Sequence, residues 1–184
     1  MSPEPRVLLI LPCTNIKPYS RSPTWHYILE RLKPWHEAID FVAIDCITNP
    51  QTGKPFGIVP MSEEDMVVGL DEKPDLKKLP SLIEEVRSKL CELRSDYLRT
   101  IAYINVRAYW EALAQVAEEF EITLLPSVYR NAKSWSVEAI GASPLGVFRK
   151  YANELVQELE KEVTIVDRRR LGPEVMQSTG RRSP

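Results

Sequence analysis

A continuous apolar run, from Val7 to Leu11 and ended by Pro12, constrains the fold of this chain more than any other feature. A run of β-branched residues and leucines without polar alternation is typical of a strand buried on both faces, and such strands occur mainly in parallel sheets. Parallel strands are joined by crossover connections that are usually helices. The run therefore predicts an α/β domain, and in such domains the loop that follows a strand is where ligands bind.

Strand-like and helix-like segments alternate along the rest of the chain. Further strands are predicted at Ile39–Ile47, Thr100–Ile104, Ile122–Leu125 and Val163–Val166. Apolar stripes at helical spacing predict helices over Trp25–Leu32, over Leu79–Leu93, after Asn105 and from Pro144 onward. The stripe of the helix after Asn105 is assigned to Trp110, Leu113, Ala114, Ala117 and Phe120. This order predicts a three-layer α/β sandwich with a short, mainly parallel sheet.

The segment from Thr48 to Lys78 has no clear periodicity and is rich in proline and glycine. Long loops in compact domains are usually functional or contain short irregular strands. Apolar residues within the segment indicate that it packs on the rest of the domain. We interpret it as an excursion over the edge of the sheet, close to the ligand-binding face.

Composition and charge exclude several classes of protein. The chain has 184 residues, 43% hydrophobic and 27% charged, with a formal net charge of -2, as expected for a globular protein without a general affinity for nucleic acid. We expect one domain over residues 1–166 and a mobile basic tail over 167–184. No apolar run approaches the length of a membrane span, so a cytoplasmic protein is expected. Three widely spaced cysteines and two histidines favour neither a disulfide framework nor a metal site.

The loop from Leu11 to His26 carries an unusual density of reactive side chains: Cys13, Lys17, Tyr19, Ser20, Ser22 and His26. Cys13 follows the first strand and precedes Lys17 and a helix start, and both neighbours favour a thiolate. Cys13 is thus a candidate nucleophile toward a nitrile, carbonyl or acyl carbon, with Lys17, Tyr19 or His26 handling protons. The alternative is a small buried residue that closes a strand.

The other polar residues of this loop also have two interpretations. Lys17, Ser20 and Ser22 could contact a phosphate or carboxylate beside the helix N-terminus, or they could form a solvated turn in which Ser22 caps the helix. His26 is a candidate proton donor, and a packed or capping side chain is the alternative.

Polar residues near other strand ends extend the candidate site. Asp45 and Asn105 follow the apolar parts of two predicted strands, and parallel order would bring both to the edge that carries Cys13. Either could hold a base edge or an amine, or could be a turn or cap residue. Phe56, Tyr19 and Trp25 could stack on a flipped base, although Trp25 starts an apolar helical stripe and is better explained as core. Asn131 and Ser134 are further polar candidates.

Two segments resemble one family of proteins. The first segment is a spaced motif. Three residues separate Pro12-Cys13 from Lys17-Pro18-Tyr19, and two more residues separate Tyr19 from Ser22. This pattern closely resembles the signature of the archaeosine synthase alpha subunit, which is related to archaeosine tRNA-guanine transglycosylase. The family motif continues with two residues and a histidine; here Trp25 stands at that position and His26 follows it. Pro55–Pro60 resembles a second segment of the same domain.

The resemblance implies a fold similar to uracil-DNA glycosylase and an activity on 7-cyano-7-deazaguanine in tRNA. It also implies lysine, or another amine, as the donor that adds to the nitrile, a radical-SAM partner protein and no cofactor held by this chain. In this scheme Cys13 would attack the nitrile carbon, and Tyr19 or His26 would protonate the nitrogen. Lys17 would lower the pKa of the thiol or hold a phosphate.

Full-length members of that family carry further domains, including an RNA-binding module of the PUA type. The basic tail could provide a small RNA contact or could be solvated, and its arginines are Arg168, Arg169, Arg170, Arg181 and Arg182. Two alternatives to an enzyme remain. One is a non-catalytic nucleotide- or RNA-binding module that grips a phosphate through Lys17, Ser20 and Ser22. The other is a scaffolding subunit with an apolar docking surface on the Thr48–Lys78 segment.

Overall fold

A five-stranded mixed sheet forms the centre of the protein. The computed structural model describes residues 6–14, 16–125, 127, 153, 155–162 and 164. The strands are β1 (Arg6–Pro12), β2 (Ile39–Thr48), β3 (Pro55–Pro60), β4 (Tyr97–Tyr103) and β5 (Ile122–Leu125). Their order across the sheet is β3-β2-β1-β4-β5. All neighbouring pairs are parallel except β2 with β3, so β3 is the antiparallel edge strand.

Helices cover both faces of this sheet. They are α1 (Pro23–Arg31), α2 (Leu79–Leu93) and α3 (Arg107–Val116), and residues 153, 155–162 and 164 are also helical. One face packs with α1 and with Leu155, Val156 and Leu159 of the last helical segment. The other face packs with α2 and α3. The predicted three-layer α/β sandwich with a mainly parallel sheet is therefore confirmed.

Strand β1 is central, as its uninterrupted apolar sequence predicts. It pairs in parallel with β2 on one side and β4 on the other. Its residues alternate between the two cores: Val7 and Leu9 belong to the core on the α1 face, whereas Leu8 and Ile10 belong to the core on the α2 and α3 face. Both faces of β1 are covered by helices, and Pro12, the last residue of the strand, is also buried.

The segment between β2 and α2 differs from its prediction. Pro55–Pro60 does not lie over the edge of the sheet but is itself the edge strand, paired with β2. Gly57 allows this, because it adopts φ +74° and a Cβ added there would lie 2.9 Å from the backbone carbon of Glu85 in α2. Helix α2 therefore packs directly against β3 at Gly57. Three large apolar side chains elsewhere in the segment are exposed: Met66, Val68 and Leu76.

Helix α3 ends earlier than predicted, and the side chains that it buries differ from those of the predicted apolar stripe. It stops at Val116, so Ala117 and Phe120 lie beyond it. Its buried side chains include Ala108, Tyr109 and Ala112, whereas Trp110 is only partly buried. A second correction concerns the strand predicted at Val163–Val166, because Thr164 is helical and its hydroxyl donates to the carbonyl of Glu160 at 2.7 Å.

Several predictions fall outside the described residues. They concern Asn131, Ser134, the helix start near Pro144 and the basic tail with Arg168, Arg169, Arg170, Arg181 and Arg182. Within the described part of the chain, no helix combines the length and apolar character that crossing a bilayer requires.

Candidate functional site

The carboxyl ends of β1, β2 and β4 meet at one edge of the sheet, and Cys13 is the first residue beyond β1 there. Its backbone N–H donates to the carbonyl of Ile44 at 3.0 Å, which extends the β1–β2 ladder by one residue. The side chain is partly buried and packs against the apolar cores of both faces. Cys13 therefore lies where groups from both helical layers can reach it.

Asp45 is the buried charge of this edge. Its side chain is 0% exposed and receives the Tyr19 hydroxyl at 2.5 Å and the backbone N–H of Ile47 at 2.9 Å. Lys17 Nζ lies 3.5 Å from Asp45 Oδ2, and the Lys17 side chain is only 8% exposed. The carboxylate is thus surrounded by donors and a cation, as a buried charge requires.

Aromatic contacts hold the loop after β1 in this position. The Trp25 indole N–H donates to the carbonyl of Pro12 at 3.0 Å, and the Trp25 and Tyr19 rings stack with centroids 5.2 Å apart. Lys17 Nζ lies 5.7 Å from the centroid of the Tyr19 ring, close enough for a cation–π contact. Trp25 is fully buried, which confirms that it belongs to the core.

A second set of contacts approaches Cys13 from the α3 face. Cys13 Sγ lies 2.8 Å from the Tyr109 hydroxyl, and either atom can be the donor. The same hydroxyl lies 3.3 Å from Cys46 Sγ and 3.4 Å from the backbone nitrogen of Cys46. Tyr109 is fully buried, and Cys46 is 1% exposed. One phenol therefore connects two thiols of this edge.

The pKa of Cys13 is raised well above its ordinary value. Burial is the main cause, and the charge of Asp45 adds to it. The hydrogen bond from Tyr109 and the charge of Lys17 act in the opposite direction but are smaller. Lys17 does favour the thiolate, as predicted, but burial of the thiol and the charge of Asp45 outweigh it, so the expectation of a net lowered pKa for Cys13 is wrong.

The two phenols of the site are also held neutral. Burial raises the pKa of Tyr19, and the neighbouring Asp45 raises it further. Burial likewise raises the pKa of Tyr109, with additional contributions from Cys13 and Asp45. Both hydroxyls consequently remain hydrogen-bond donors over the physiological pH range.

The remaining loop residues have different surroundings. The Ser20 hydroxyl donates to Glu64 Oε1 at 3.2 Å, while Glu64 Oε2 is buried without a hydrogen-bond partner. Ser22 occupies the position before α1 but makes no side-chain capping bond. Ser22 is therefore the N-cap residue of α1, and its carbonyl accepts the His26 N–H at 2.8 Å, but the predicted side-chain cap is absent and the residue is buried, 2% exposed.

None of the side-chain contacts described above involves His26, Phe56 or Asn105. His26 is exposed on α1, next to the buried Trp25. Phe56 is 8% exposed and belongs to the core on the α1 face, which leaves little of its ring free to stack on a base. Asn105 is partly buried just beyond β4, and the parallel pairing of β1 with β4 brings it to the edge that carries Cys13.

Sequence patterns alone did not identify Tyr109 and Cys46 as site residues. The helical stripe predicted for α3 runs through the neighbouring Trp110, so the pattern does not predict Tyr109 as a site residue. Cys46 follows Asp45 directly, and in a strand buried on both faces successive side chains point to opposite layers. That alternation is the signal that could have placed Cys46 toward the α3 layer.

The cluster provides two thiols, two neutral phenols and a buried ion pair at the end of the central strand. This set can support attack by sulfur on an electrophilic carbon and proton transfer to a neighbouring atom. Within the described residues, no group of three or more His, Cys, Asp and Glu side chains could hold a metal ion.

A cleft of about 620 Å³ lies at the opposite edge of the sheet, where β1, β2 and β4 begin. Its lining includes Arg6, Asp40 and Tyr97 and none of the loop residues from Cys13 to His26. The guanidinium of Arg6 and the hydroxyl of Tyr97 both donate to Asp40. We assign the candidate site to the edge that carries Cys13, because the lining of the cleft contains neither a cysteine nor a lysine.

Comparison with known proteins supports the fold alone. No protein-family model matches the chain, and no curated protein matches it in sequence. The structure is similar to the crystal structure of AF0587, a protein of unknown function, with a TM-score of 0.52 and 17% sequence identity. The similarity covers 88% of this chain and 45% of that protein, so the chain spans less than half of its length. An α/β arrangement of this kind is therefore present in a solved structure.

Proposed function

We propose that the protein acts in tRNA modification, on the nitrile of a 7-cyano-7-deazaguanine base, with Cys13 as the nucleophile. The observation that carries the proposal is the cluster around Asp45. Lys17 and Tyr19 belong to the same motif as Cys13, and both contact the Asp45 carboxylate. Asp45 directly follows Ile44, whose carbonyl accepts the Cys13 N–H. The motif residues thus share one buried polar unit.

The proposed chemistry needs neither an oxidant nor a metal. Sulfur of Cys13 forms a bond to the nitrile carbon, one π bond of the nitrile breaks, and the thiol proton passes to the nitrogen to give a thioimidate. An amine then adds to the same carbon, the carbon–sulfur bond breaks, and Cys13 regains a proton. The product is an amidine. We propose lysine as the amine donor and a radical-SAM partner protein for any later step.

The geometry favours particular roles for the side chains. The Tyr109 hydroxyl lies within hydrogen-bond distance of Cys13 Sγ and is the phenol that can follow its proton. Tyr19 donates to Asp45, so we assign it to holding the carboxylate and the loop rather than to proton transfer. Lys17 favours the thiolate electrostatically, in opposition to Asp45. His26, exposed on α1, is left without a role in this mechanism.

Turnover of nitrile-bearing tRNA by purified protein tests the proposal. The chain is incubated with lysine and with tRNA that carries 7-cyano-7-deazaguanine, and the modified nucleoside is measured by mass spectrometry. We expect Cys13→Ala to lose at least about a hundredfold in rate, because the nucleophile is removed. Cys91→Ala, at an exposed cysteine of α2, is the matched control and should keep full rate. Full turnover by Cys13→Ala would exclude the covalent route.

A non-catalytic nucleotide- or RNA-binding module is the second candidate. Two observations favour it: the raised pKa of Cys13, and the exposed position of His26 on α1. In that case wild-type protein and Cys13→Ala should bind the tRNA equally well, and neither should convert the base. Filter binding at several salt concentrations, combined with nucleoside analysis, distinguishes the two candidates. The scaffolding alternative stays a prediction. The apolar surface that it requires would consist of the exposed side chains of Met66, Val68 and Leu76.

A further inference from the structure

Cys13, Tyr109 and Cys46 form one continuous hydrogen-bonded unit from three different parts of the fold. Cys13 belongs to the loop after β1, Tyr109 to α3 and Cys46 to β2. The Tyr109 oxygen lies 2.8 Å from Cys13 Sγ and 3.3 Å from Cys46 Sγ. The two cysteines are free thiols and Tyr109 is a neutral phenol, and all three side chains meet where the parallel strands end.

The proton count of this unit allows only certain arrangements. The Tyr109 hydroxyl has one hydrogen and can donate to one sulfur at a time. When Cys13 is a thiol, its S–H can donate to the Tyr109 oxygen while Tyr109 donates to Cys46 Sγ. When Cys13 is a thiolate, it has no hydrogen to donate. The Tyr109 hydroxyl must then turn to Cys13, and the Cys46 S–H becomes free to donate to the Tyr109 oxygen.

We propose that Tyr109 and Cys46 form a hydrogen-bond switch that controls whether Cys13 can become a thiolate. Tyr109 is a positioning residue that donates to the charged sulfur, and Cys46 competes for the same hydrogen. The backbone N–H of Cys46, 3.4 Å from the Tyr109 oxygen, keeps this oxygen in place in both arrangements. This inference rests on the proposed function, because it takes Cys13 as the reacting group.

The surroundings of Cys13 explain why such a donor is needed. Asp45 on β2 repels a thiolate, whereas Lys17 of the loop attracts it, and Tyr19 donates its hydrogen to Asp45 rather than to sulfur. Among these neighbours, Tyr109 on α3 makes the side-chain hydrogen bond that favours the charged sulfur, and Cys46 is close enough to oppose it. Donation by Tyr109 therefore has a direct effect on the thiolate population.

Alkylation of the free protein by iodoacetamide tests the switch. Rates are measured for each cysteine by peptide mass spectrometry between pH 7 and 9, with exposed Cys91 as the internal reference. Tyr109→Phe removes the donor and should slow alkylation of Cys13 by about threefold to tenfold, since loss of thiolate outweighs the gain in nucleophilicity. Cys46→Val removes the competing sulfur without leaving a cavity and should speed alkylation of Cys13 by about twofold.

Opposite effects of the two variants are the signature of a switch. Cys46→Ser keeps a hydroxyl that can compete for the Tyr109 hydrogen, so it should react at close to the wild-type rate. Loosened packing alone would speed alkylation in both Tyr109→Phe and Cys46→Val, and that result would overturn the proposal. Equal rates in all three variants would also overturn it. If Tyr109→Phe does not fold, the difference between Cys46→Val and Cys46→Ser decides the question alone.

This measurement is separate from the test of the proposed function. It uses the free protein and needs neither tRNA nor an amine. Opposite shifts in Cys13 alkylation together with full turnover of nitrile-bearing tRNA by Cys13→Ala would keep the switch and reject the covalent reaction. Loss of turnover in Cys13→Ala with unchanged alkylation in Tyr109→Phe and Cys46→Val would keep the reaction and reject the switch.

Discussion

Two aspartates of β2, Asp40 and Asp45, bind the same kinds of partners at opposite edges of the sheet. Asp40 receives Arg6 Nη1 at 2.8 Å and the Tyr97 hydroxyl at 2.9 Å. Asp45 lies 3.5 Å from Lys17 Nζ and receives the Tyr19 hydroxyl at 2.5 Å. Each edge thus has one carboxylate, one phenol and one cation.

Burial is what separates the two sets. The side chains of Arg6 and Asp40 are 44% and 38% exposed, whereas those of Lys17 and Asp45 are 8% and 0% exposed. Exposed ion pairs contribute little because water screens them, while a buried charge must be fully satisfied by its neighbours. The comparison teaches that the same three groups form an exposed surface cluster at one edge, whereas at the other they form a buried cluster whose charges act on the pKa of Cys13.

Removal of each aspartate should give the largest difference between the edges. Asp45→Ala leaves Lys17 charged and buried, so we expect a loss of about 3–5 kcal/mol in the free energy of unfolding. Asp40→Ala should cost about 0.2–1 kcal/mol. Urea denaturation measures both values. The double variant Lys17→Met with Asp45→Leu should recover much of the loss, and similar costs for the two single variants would contradict the comparison.

Removal of the phenol hydroxyls is a milder version of the same test. Tyr19→Phe deletes a buried hydrogen bond to a carboxylate and should lower the free energy of unfolding by about 1.5–3 kcal/mol. Tyr97→Phe deletes a bond at a half-buried site, and we expect less than about 1 kcal/mol. Both variants keep the ring, so packing is matched. A larger cost for Tyr97→Phe than for Tyr19→Phe would show that burial does not rank the two edges.

Alkaline pH should weaken the Cys13 edge first. The pKa of Cys13 is raised in the folded state, so above the ordinary value of about 8.5 the unfolded chain loses a proton that the folded protein keeps. The unfolded state then binds fewer protons, and stability falls with rising pH by at most about 1.4 kcal/mol per pH unit for this group. Denaturation midpoints from pH 7 to 10 measure the slope.

Two variants identify the source of this alkaline slope. Cys13→Ser should reduce the slope between pH 8.5 and 10 and leave the part contributed by Cys46, whose pKa is also raised by burial. Tyr97→Phe should not change it below about pH 9, because an ordinary tyrosine titrates near pH 10. An unaltered slope in Cys13→Ser would place the pH dependence elsewhere.

Much of the fold and part of the site could be predicted from the sequence. The apolar run of β1 specified a buried central strand, and the repeated alternation specified the layers. Asp45 was placed at the Cys13 edge from strand order alone, since parallel strands end together. These inferences succeeded because they depend on periodicity and on the direction of strands, which local sequence determines.

Contacts between distant elements could not be predicted in this way. Tyr109 is 96 residues from Cys13 in sequence. The helical stripe that the sequence predicts for α3 runs through Trp110 rather than Tyr109. The sequence predicts a lowered pKa for Cys13 because it shows Lys17 nearby but shows neither the burial of the thiol nor the neighbouring Asp45, and these two effects raise the pKa. Only the folded structure shows that the Lys17 charge lies beside a buried carboxylate, Asp45, which opposes the thiolate.

Salt dependence gives the smallest effect and distinguishes the two ion pairs most directly. At low ionic strength Arg6→Gln should cost about 0.2–1 kcal/mol, and the cost should vanish near 1 M NaCl, where the screening length is about 3 Å. Lys17→Met removes the partner of a buried carboxylate, which salt ions do not reach, so its larger cost should be the same at both salt concentrations. Urea denaturation at 20 mM and 1 M NaCl measures both differences. A salt-sensitive cost for Lys17→Met would mean that water and ions enter the Asp45 site, and the raised pKa of Cys13 would then lose its main physical cause.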